Sequence, residues 1–400
     1  MIYQLLIRLL SPLIVLLIAL DGYKRKGGWR FVSQRLGFGY PDTRPGAIWL
    51  HCASVGEVKA IEQLVKSRPH QAWLITTNTP TGWQTAQDLN LNAELYYLPF
   101  DWPYAIQCFL RAAQPSQLWV VETELWPNLF RLSKQHGLSI RIINGRISYR
   151  TLRAPSWLKQ QYQHCLQQVD QILARSHSEA ERFISLGANQ QKIEVLGNLK
   201  QAGLNHVIHH PRPIKPEYVL LASSHEDEEL RIAKIWQALN RPECLVIVPR
   251  HPKRGEEIIS ALQKHGLSAT LSEQGEPDEN TRVWIQNKFG VLMPLFEHAK
   301  LVIMGGSFAP KGGHNFLEPA AYGKPIITGP DNRDFEDELA LFREQGAIIV
   351  CEDYDKLQQR LNQLLTNGAL CQELGKHAKH IIQNQPEILT RYQAALKLTD

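Results

Sequence analysis

From Ala47 onward the chain alternates short apolar runs with longer amphipathic stretches. Candidate strands are Ile48–Cys52, Trp73–Thr77, Leu95–Leu98, Leu118–Glu122, Ile140–Asn144, Ile172–Ala174 and Ile193–Leu196, with helix-length segments between them. A strand–helix–strand series predicts a parallel sheet with helices on both faces. The pattern breaks at His209–Pro216, HHPRPIKP, which reads as a linker. A second series follows: Tyr218–Ala222, Leu245–Pro249, Val283–Ile285, Leu301–Met304, Ile326–Thr328 and Ala347–Val350, with a mostly helical tail from Asp355. The expected fold class is α/β, with two Rossmann-like halves and a cleft in which ligands sit at the carboxyl ends of the strands. Residues 1–28 are expected to form a membrane anchor with a basic flank. Residues 29–208 and 218–400 then form the two domains, and 209–217 the linker.

The N-terminus has its own pattern. Ile2–Leu20 is strongly apolar but carries Gln4, Arg8, Ser11 and Pro12. Its charge-free part, Leu9–Leu20, is closer to the length of an interfacial segment than of a full span. It ends in IALDGYKRK, a poor cleavage site. An uncleaved anchor is expected, with the basic side and the following domains cytoplasmic. Whether it spans the bilayer or dips into it stays open, and a buried core helix is the alternative.

Charge supports the anchor. Residues 1–44 hold seven bases (Arg8, Lys24, Arg25, Lys26, Arg30, Arg35, Arg44) and two acids (Asp21, Asp42), which accounts for the whole net charge of +5. A nucleic-acid protein would carry basic faces on its folded domains. A basic cluster beside an apolar segment suits anionic lipid instead. The six cysteines are scattered without CxxC or CxxH spacing, which argues against a zinc site or a disulfide framework. Buried thiols in a reducing compartment are expected.

Chemistry-bearing residues cluster where strands end. In His51–Glu57, HCASVGE, Ser54 and Glu57 have capping-box spacing. The functional alternative makes Glu57 a general base. A helix N-terminus lowers a carboxylate's pKa, so burial would have to offset that. In VETELWPN, Glu122 and Glu124 stand two apart; Glu122 is nearer the strand, and it alone is expected to face the cleft. NGRIS and GNLK place Arg146 and Lys200 at strand ends, and VPRHPKR does the same for Arg250. Gly305–Pro330, GGSFAPKGGHNFLEPAAYGKPIITGP, reads as a strand, a glycine loop, a helix over Asn315–Tyr322 and a strand. A helix N-terminus suits a phosphate, and Glu318 could accept hydrogen bonds from two sugar hydroxyls. Neither GxGxxG nor GxxxxGK[ST] occurs, which disfavours a dinucleotide dehydrogenase and a P-loop NTPase.

Taken in order, HCASVGE, TTNTPTG, VETELWPN, NGRIS, GNLK, VPRHPKR and GGHNFLEPAAYGKP closely resemble the Kdo transferases. That family moves 3-deoxy-D-manno-octulosonic acid (Kdo) from CMP-Kdo to the lipid A precursor in lipopolysaccharide synthesis. The resemblance implies a GT-B fold, an inverting glycosyltransferase on the cytoplasmic face of the inner membrane, and chemistry without a metal or cofactor, CMP-Kdo being the donor substrate. It implies Glu57 as the base, with Glu122 and Lys200 supporting the transition state. It places nucleotide contacts at Pro249, Arg250, Phe289, Gly290, Val291, Asn315, Phe316, Leu317 and Glu318. Two departures stand out. Where the family reads S-T-H-x-G-E-E, Ser224 and Asp227 replace Thr and Gly, and Val291 stands where an acid is frequent. A UDP-sugar transferase to a lipid acceptor, a nucleotide-sugar epimerase and a non-catalytic lipid A binder remain as alternatives.

Overall fold

The computed structural model describes residues 2–40, 45–202, 204, 207–384 and 388–398. Asp42 and Arg44 of the N-terminal charge count lie outside them. The chain divides into two compact units, Met1–Gly203 with Pro386–Asp400, and Leu204–Gln385.

The first unit is built on seven parallel strands: β1 (Ile48–Cys52), β2 (Trp73–Thr77), β3 (Ala93–Tyr97), β4 (Gln117–Val121), β5 (Ser139–Gly145), β6 (Gln171–Ala174) and β7 (Ile193–Val195). Their spatial order is β3-β2-β1-β4-β5-β6-β7. Every residue of β1 and β2 is buried, as required of central strands covered on both faces. One face packs Trp49, Leu74, Phe109, Leu129 and Phe130; the other packs Leu50, Val58, Ile61, Leu64 and Trp119. The order reverses between β1 and β4, and the crevice beyond their carboxyl ends is where such a sheet binds ligands.

The second unit repeats the plan with β8 (Tyr218–Ser224), β9 (Cys244–Pro249), β10 (Thr270–Leu271), β11 (Val283–Ile285), β12 (Leu301–Met304), β13 (Ile326–Thr328) and β14 (Ile349–Val350), in the order β10-β11-β9-β8-β12-β13-β14. Its pairs are parallel too. Its switch point lies between β8 and β12. The two-residue β10 is an edge strand too short to show in the apolar pattern.

The expected second-domain range, 218–400, needs correction at its end. The helix Ile388–Ala395 belongs to the first unit. Tyr392, fully buried, donates to the Gly197 carbonyl at 3.1 Å, and Gln393 donates to Ser67 Oγ at 2.8 Å. Periodicity marks such a helix but does not say which sheet it covers.

The N-terminal segment forms α1 (Ile2–Leu9) and α2 (Ser11–Lys24), bent by 59° at Leu10. Pro12 explains the break: it has no N–H for the next helical hydrogen bond. Among the described residues no single helix is long and apolar enough to cross a bilayer, although the bent pair reaches that length and composition together. Leu5, Leu9, Leu13, Leu16 and Leu17 are each more than half exposed. The other side of the pair is tied to the unit: Tyr3 donates to Asp101 at 2.7 Å and Trp102 to Ser11 at 3.0 Å. α3 (Gly28–Arg35) follows, and Arg35 donates to Asn78 and to the Leu98 carbonyl.

Candidate active site

In the first unit the candidate side chains gather at the β1/β4 switch point. Ser54 caps the helix Val55–Lys66 by accepting from the Glu57 N–H. Glu57 turns back: Oε1 accepts from the Ser54 hydroxyl at 2.8 Å and Oε2 from the Ala53 N–H at 2.7 Å. The cap therefore forms, with the carboxylate reaching the N–H one residue before Ser54, and the same geometry buries Glu57 to 7% exposure. Burial pushes its pKa up to about 8, helped by the charges of Glu122 and Glu124 and opposed by the Ala53 and Ser54 hydrogen bonds. Burial outweighs the helix terminus, the condition that a base at this position has to meet.

Glu122 is the first residue beyond β4 and has φ 59°, a left-handed conformation that costs a non-glycine residue roughly 1–3 kcal/mol. The expectation that Glu122 alone would face the site is corrected here. The chain is no longer extended at Glu122, and both Glu122 and Glu124 act on Glu57. Thr123 holds the turn by donating to the Arg146 carbonyl. Glu124 accepts from Trp126 Nε1 at 2.7 Å and Asn78 Nδ2 at 3.2 Å, with His51 Nε2 at 3.8 Å. Burial raises its pKa, but His51, Trp126 and Asn78 together hold it below its ordinary value.

Lys200 comes from the turn Leu199–Gln201 after β7. Its Nζ donates to Glu122 Oε1 at 2.6 Å and would lie 3.7 Å from a Cβ added at Gly56. Glu57, Glu122 and Lys200 are thus brought together. Asn144 and Asn198, which spacing did not single out as functional, position the lysine. Asn144 Oδ1 accepts from the Leu199 N–H at 2.8 Å and Asn198 Oδ1 from the Lys200 N–H at 3.2 Å. The φ of 52° at Asn144 is the local signal, since asparagine tolerates that region. Arg146 lies in the field of Glu179, a buried acid that also meets Arg175 and Arg182.

In the second unit the ends of β8, β9 and β12 carry a cationic surface. Arg250 follows β9, is exposed, and donates its N–H to the Ser224 carbonyl at 2.9 Å. His225 Nε2 and His314 Nε2 are 2.9 Å apart, with their rings stacked at 5.1 Å. Burial, Arg250, His225 and His251 push His314 down to about 4. Burial, His251, Lys311, Arg250 and Arg254 lower His225 as well. Such a field favours an anion. Asp227, standing where the family pattern has glycine, has φ 74°; the turn that glycine would supply is present and the aspartate bears its strain.

Two expectations for this unit are corrected. The helix expected over Asn315–Tyr322 is only Leu317–Ala321, too short to supply a useful dipole to a phosphate, and the side chains around His314 supply the positive potential instead. Phe316 and Leu317 are buried in the core, Phe316 against Phe342 at 5.1 Å, so their side chains are not available to a nucleotide. Asn315 caps that helix by accepting from the Leu317 N–H at 3.2 Å, and Glu318 is half-buried on its first turn. Pro249 is buried at the end of β9, Phe289 is 84% exposed, Gly290 has φ +77°, and Val291 packs on the core edge. Among the described residues no group of three or more His, Cys, Asp or Glu side chains is arranged to hold a metal ion.

The family model for 3-deoxy-D-manno-octulosonic-acid transferase (kdotransferase) matches residues 30–202. The 3-deoxy-D-manno-octulosonic acid transferase of Haemophilus influenzae is 31% identical over 420 residues, covering 99% of this chain and 97% of its own. The chain belongs to the Kdo transferase family. The transferase of the same description from Bordetella pertussis is 29% identical over 409 residues, covering 94% of each chain. Among solved structures, the UDP-GlcNAc 2-epimerase of Neisseria meningitidis bound to UDP-GlcNAc superposes with a TM-score of 0.63 at 12% identity, covering 88% of this chain and 100% of its own. Anabaena HepE with UDP and glucose gives 0.63 at 13%, covering 88% and 99%. These two likenesses show the GT-B class of this Kdo transferase and nothing of its substrate. The protein is a glycosyltransferase that acts in lipopolysaccharide synthesis.

Proposed function

We propose that this transferase moves Kdo from CMP-Kdo to the lipid A precursor with inversion, using Glu57 as general base. The observation that carries this reading is the Glu57 carboxylate, buried at the β1/β4 switch point with its pKa raised to about 8. A base near the working pH combines a usable deprotonated fraction with a strong pull on the proton. The acceptor hydroxyl oxygen attacks the anomeric carbon of Kdo, and the bond from that carbon to the CMP phosphate oxygen breaks. The hydroxyl proton passes to Glu57, and CMP leaves with the bonding electron pair. The Glu122–Lys200 pair acts as a unit at this site. Its lysine faces the negative charge of the donor, and its glutamate faces the positive charge that develops on the sugar.

The second unit takes the nucleotide. His225, Arg250 and His314 face the phosphate, Asn315 and Glu318 lie toward the ribose, and Pro249 and the Phe289–Val291 turn border the cytosine. This reading uses no cofactor or metal: Arg250 and its neighbours meet the negative charge of the leaving phosphate. The exposed leucines of α1 and α2 and the basic residues after them hold the protein on the cytoplasmic face of the inner membrane. Mass spectrometry of products from protein, CMP-Kdo and lipid A precursor tests the reading. A mass gain of one or more Kdo units is expected, lost in Glu57→Gln. Full transfer by Glu57→Gln removes the base assignment, and transfer from a UDP sugar in place of CMP-Kdo removes the donor assignment.

A further inference from the structure

The glycine loop after β12 looks built to wrap an anion, and it already wraps one. Glu228 is the first residue of the helix Glu228–Leu239, and its side chain is fully buried. Oε2 accepts from the N–H groups of His225 and Gly306, each at 2.8 Å, and Oε1 from those of Phe308 at 3.0 Å and Ala309 at 3.2 Å. The four donors come from the loops after β8 and after β12, the two strands of the switch point. A carboxylate suits this place because its two oxygens can satisfy all four donors, and the helix N-terminus beneath it favours negative charge.

The same residues set the imidazole pair. His225 is held through its N–H. Gly306, held alike, has φ +68°, and a Cβ there would lie 2.8 Å from the His314 ring. The backbone at Gly306 therefore fixes how close His314 comes, and His314 in turn meets His225 at 2.9 Å. Glu229 holds the neighbouring side of the site, accepting from Ser224 at 2.9 Å and from Arg254 at 2.8 Å.

We propose that Glu228 is a positioning residue for donor binding, an internal anion that fastens the β8 and β12 loops and sets the His225–His314 pair. This rests on the reading that the second unit takes the CMP sugar. It also revises what the glycines are for. The amides of Gly306, Phe308 and Ala309 are occupied by Glu228, so side chains rather than the glycine loop receive the donor phosphate.

The test uses the full chain with Glu228→Gln and Glu228→Asp. A glutamine keeps the shape but turns an NH2 toward backbone donors, and an aspartate keeps the charge but reaches only one of the two loops. Three readouts are taken: the Kd of CMP by calorimetry, the separate KM values for CMP-Kdo and lipid acceptor, and hydrogen exchange at His225 and Gly306–Ala309. In Glu228→Gln, CMP Kd and donor KM are expected to rise about tenfold or more, roughly what one displaced charge-assisted contact gives. Acceptor KM is expected to stay within about twofold, and exchange at the four amides to speed up while the β4 core stays protected. Glu228→Asp falls between, and it decides the matter if the glutamine variant does not fold. Unchanged CMP affinity in either folded variant overturns the proposal, as does an equal rise in donor and acceptor KM, which marks general destabilisation. If the unaltered protein binds no CMP, the donor reading fails, and the exchange rates alone still decide whether Glu228 holds the loops.

Discussion

Lys200 Nζ lies 2.6 Å from Glu122 Oε1, although the two residues are 78 positions apart and leave strands with two others between them. The lysine reaches back across the sheet because Asn144 and Asn198 bend its turn toward β4. Removing the cation leaves Glu122 facing Glu57 without its partner. Lys200→Ala is therefore expected to lower kcat roughly 10²- to 10³-fold, in the range of a lost transition-state donor. The pair is partly exposed, so unfolding should change little. A kcat within about twofold of the unaltered enzyme would show that the pair serves only the fold.

The pH dependence follows from Glu57. A base works deprotonated, so kcat/KM should rise with pH through an apparent pKa near 8 and level off above it. Glu122→Gln removes a negative charge that raises Glu57, so the rising limb should move to lower pH. Glu57→Gln should lose roughly 10²- to 10⁴-fold in rate and show no such limb. A pH–rate profile of the three proteins at saturating donor checks all of this. A limb that survives in Glu57→Gln assigns the titration to another group.

The same carboxylate makes a stability prediction of opposite sign to an ordinary surface acid. Its folded pKa, about 8, lies above the ordinary glutamate value of 4.5. Between those values the folded state holds a proton that the unfolded chain has released. Stability should thus fall as pH rises through this window and stay low above it. Glu57→Gln removes the titration, so its Tm relative to the unaltered protein should rise from pH 5 to pH 9, by a few degrees or more. Thermal melts at the two pH values measure this, and a Tm difference independent of pH would be falsifying.

Much of this was legible in the chain, for definable reasons. Fully buried strands such as β1, β2 and β8 announce themselves as apolar runs, and the motifs around Glu57, Glu122 and Lys200 stand at their ends. Geometry set by dihedrals was not legible. The left-handed turn at Glu122 interrupts the strand end, and both acids bear on Glu57, where only Glu122 was expected to. The glycine loop read as a phosphate cradle because spacing cannot show that Glu228, 78 residues earlier, fills it. Phe316 and Leu317 shared a motif with Asn315 and Glu318 but face the core, since a five-residue helix must bury one side. The helix Ile388–Ala395 returned to the first sheet, a long-range choice that local pattern does not encode.

The last prediction concerns α1 and α2. Their outer side exposes Leu9 at 72% and Leu16 at 55%, while Tyr3 and Ser11 tie the inner side to Asp101 and Trp102. The basic residues Lys24, Arg25, Lys26 and Arg30 follow at once, Arg25 being shared with Asp21 at 2.7 Å. Two forces should then add: burial of apolar side chains among acyl chains, and attraction of the cations to anionic headgroups, worth about 1 kcal/mol for each base near the surface. They separate by salt, which screens only the second. Leu9→Glu with Leu16→Glu should weaken sedimentation with both neutral and anionic vesicles. Lys24→Gln with Lys26→Gln should weaken it only with anionic vesicles and only at low salt. Neither pair touches Glu57 or Lys200, so transfer to a detergent-dispersed acceptor should persist in both. If the leucine pair binds vesicles as well as the unaltered protein does, the exposed face of α1 and α2 is not a membrane-binding surface.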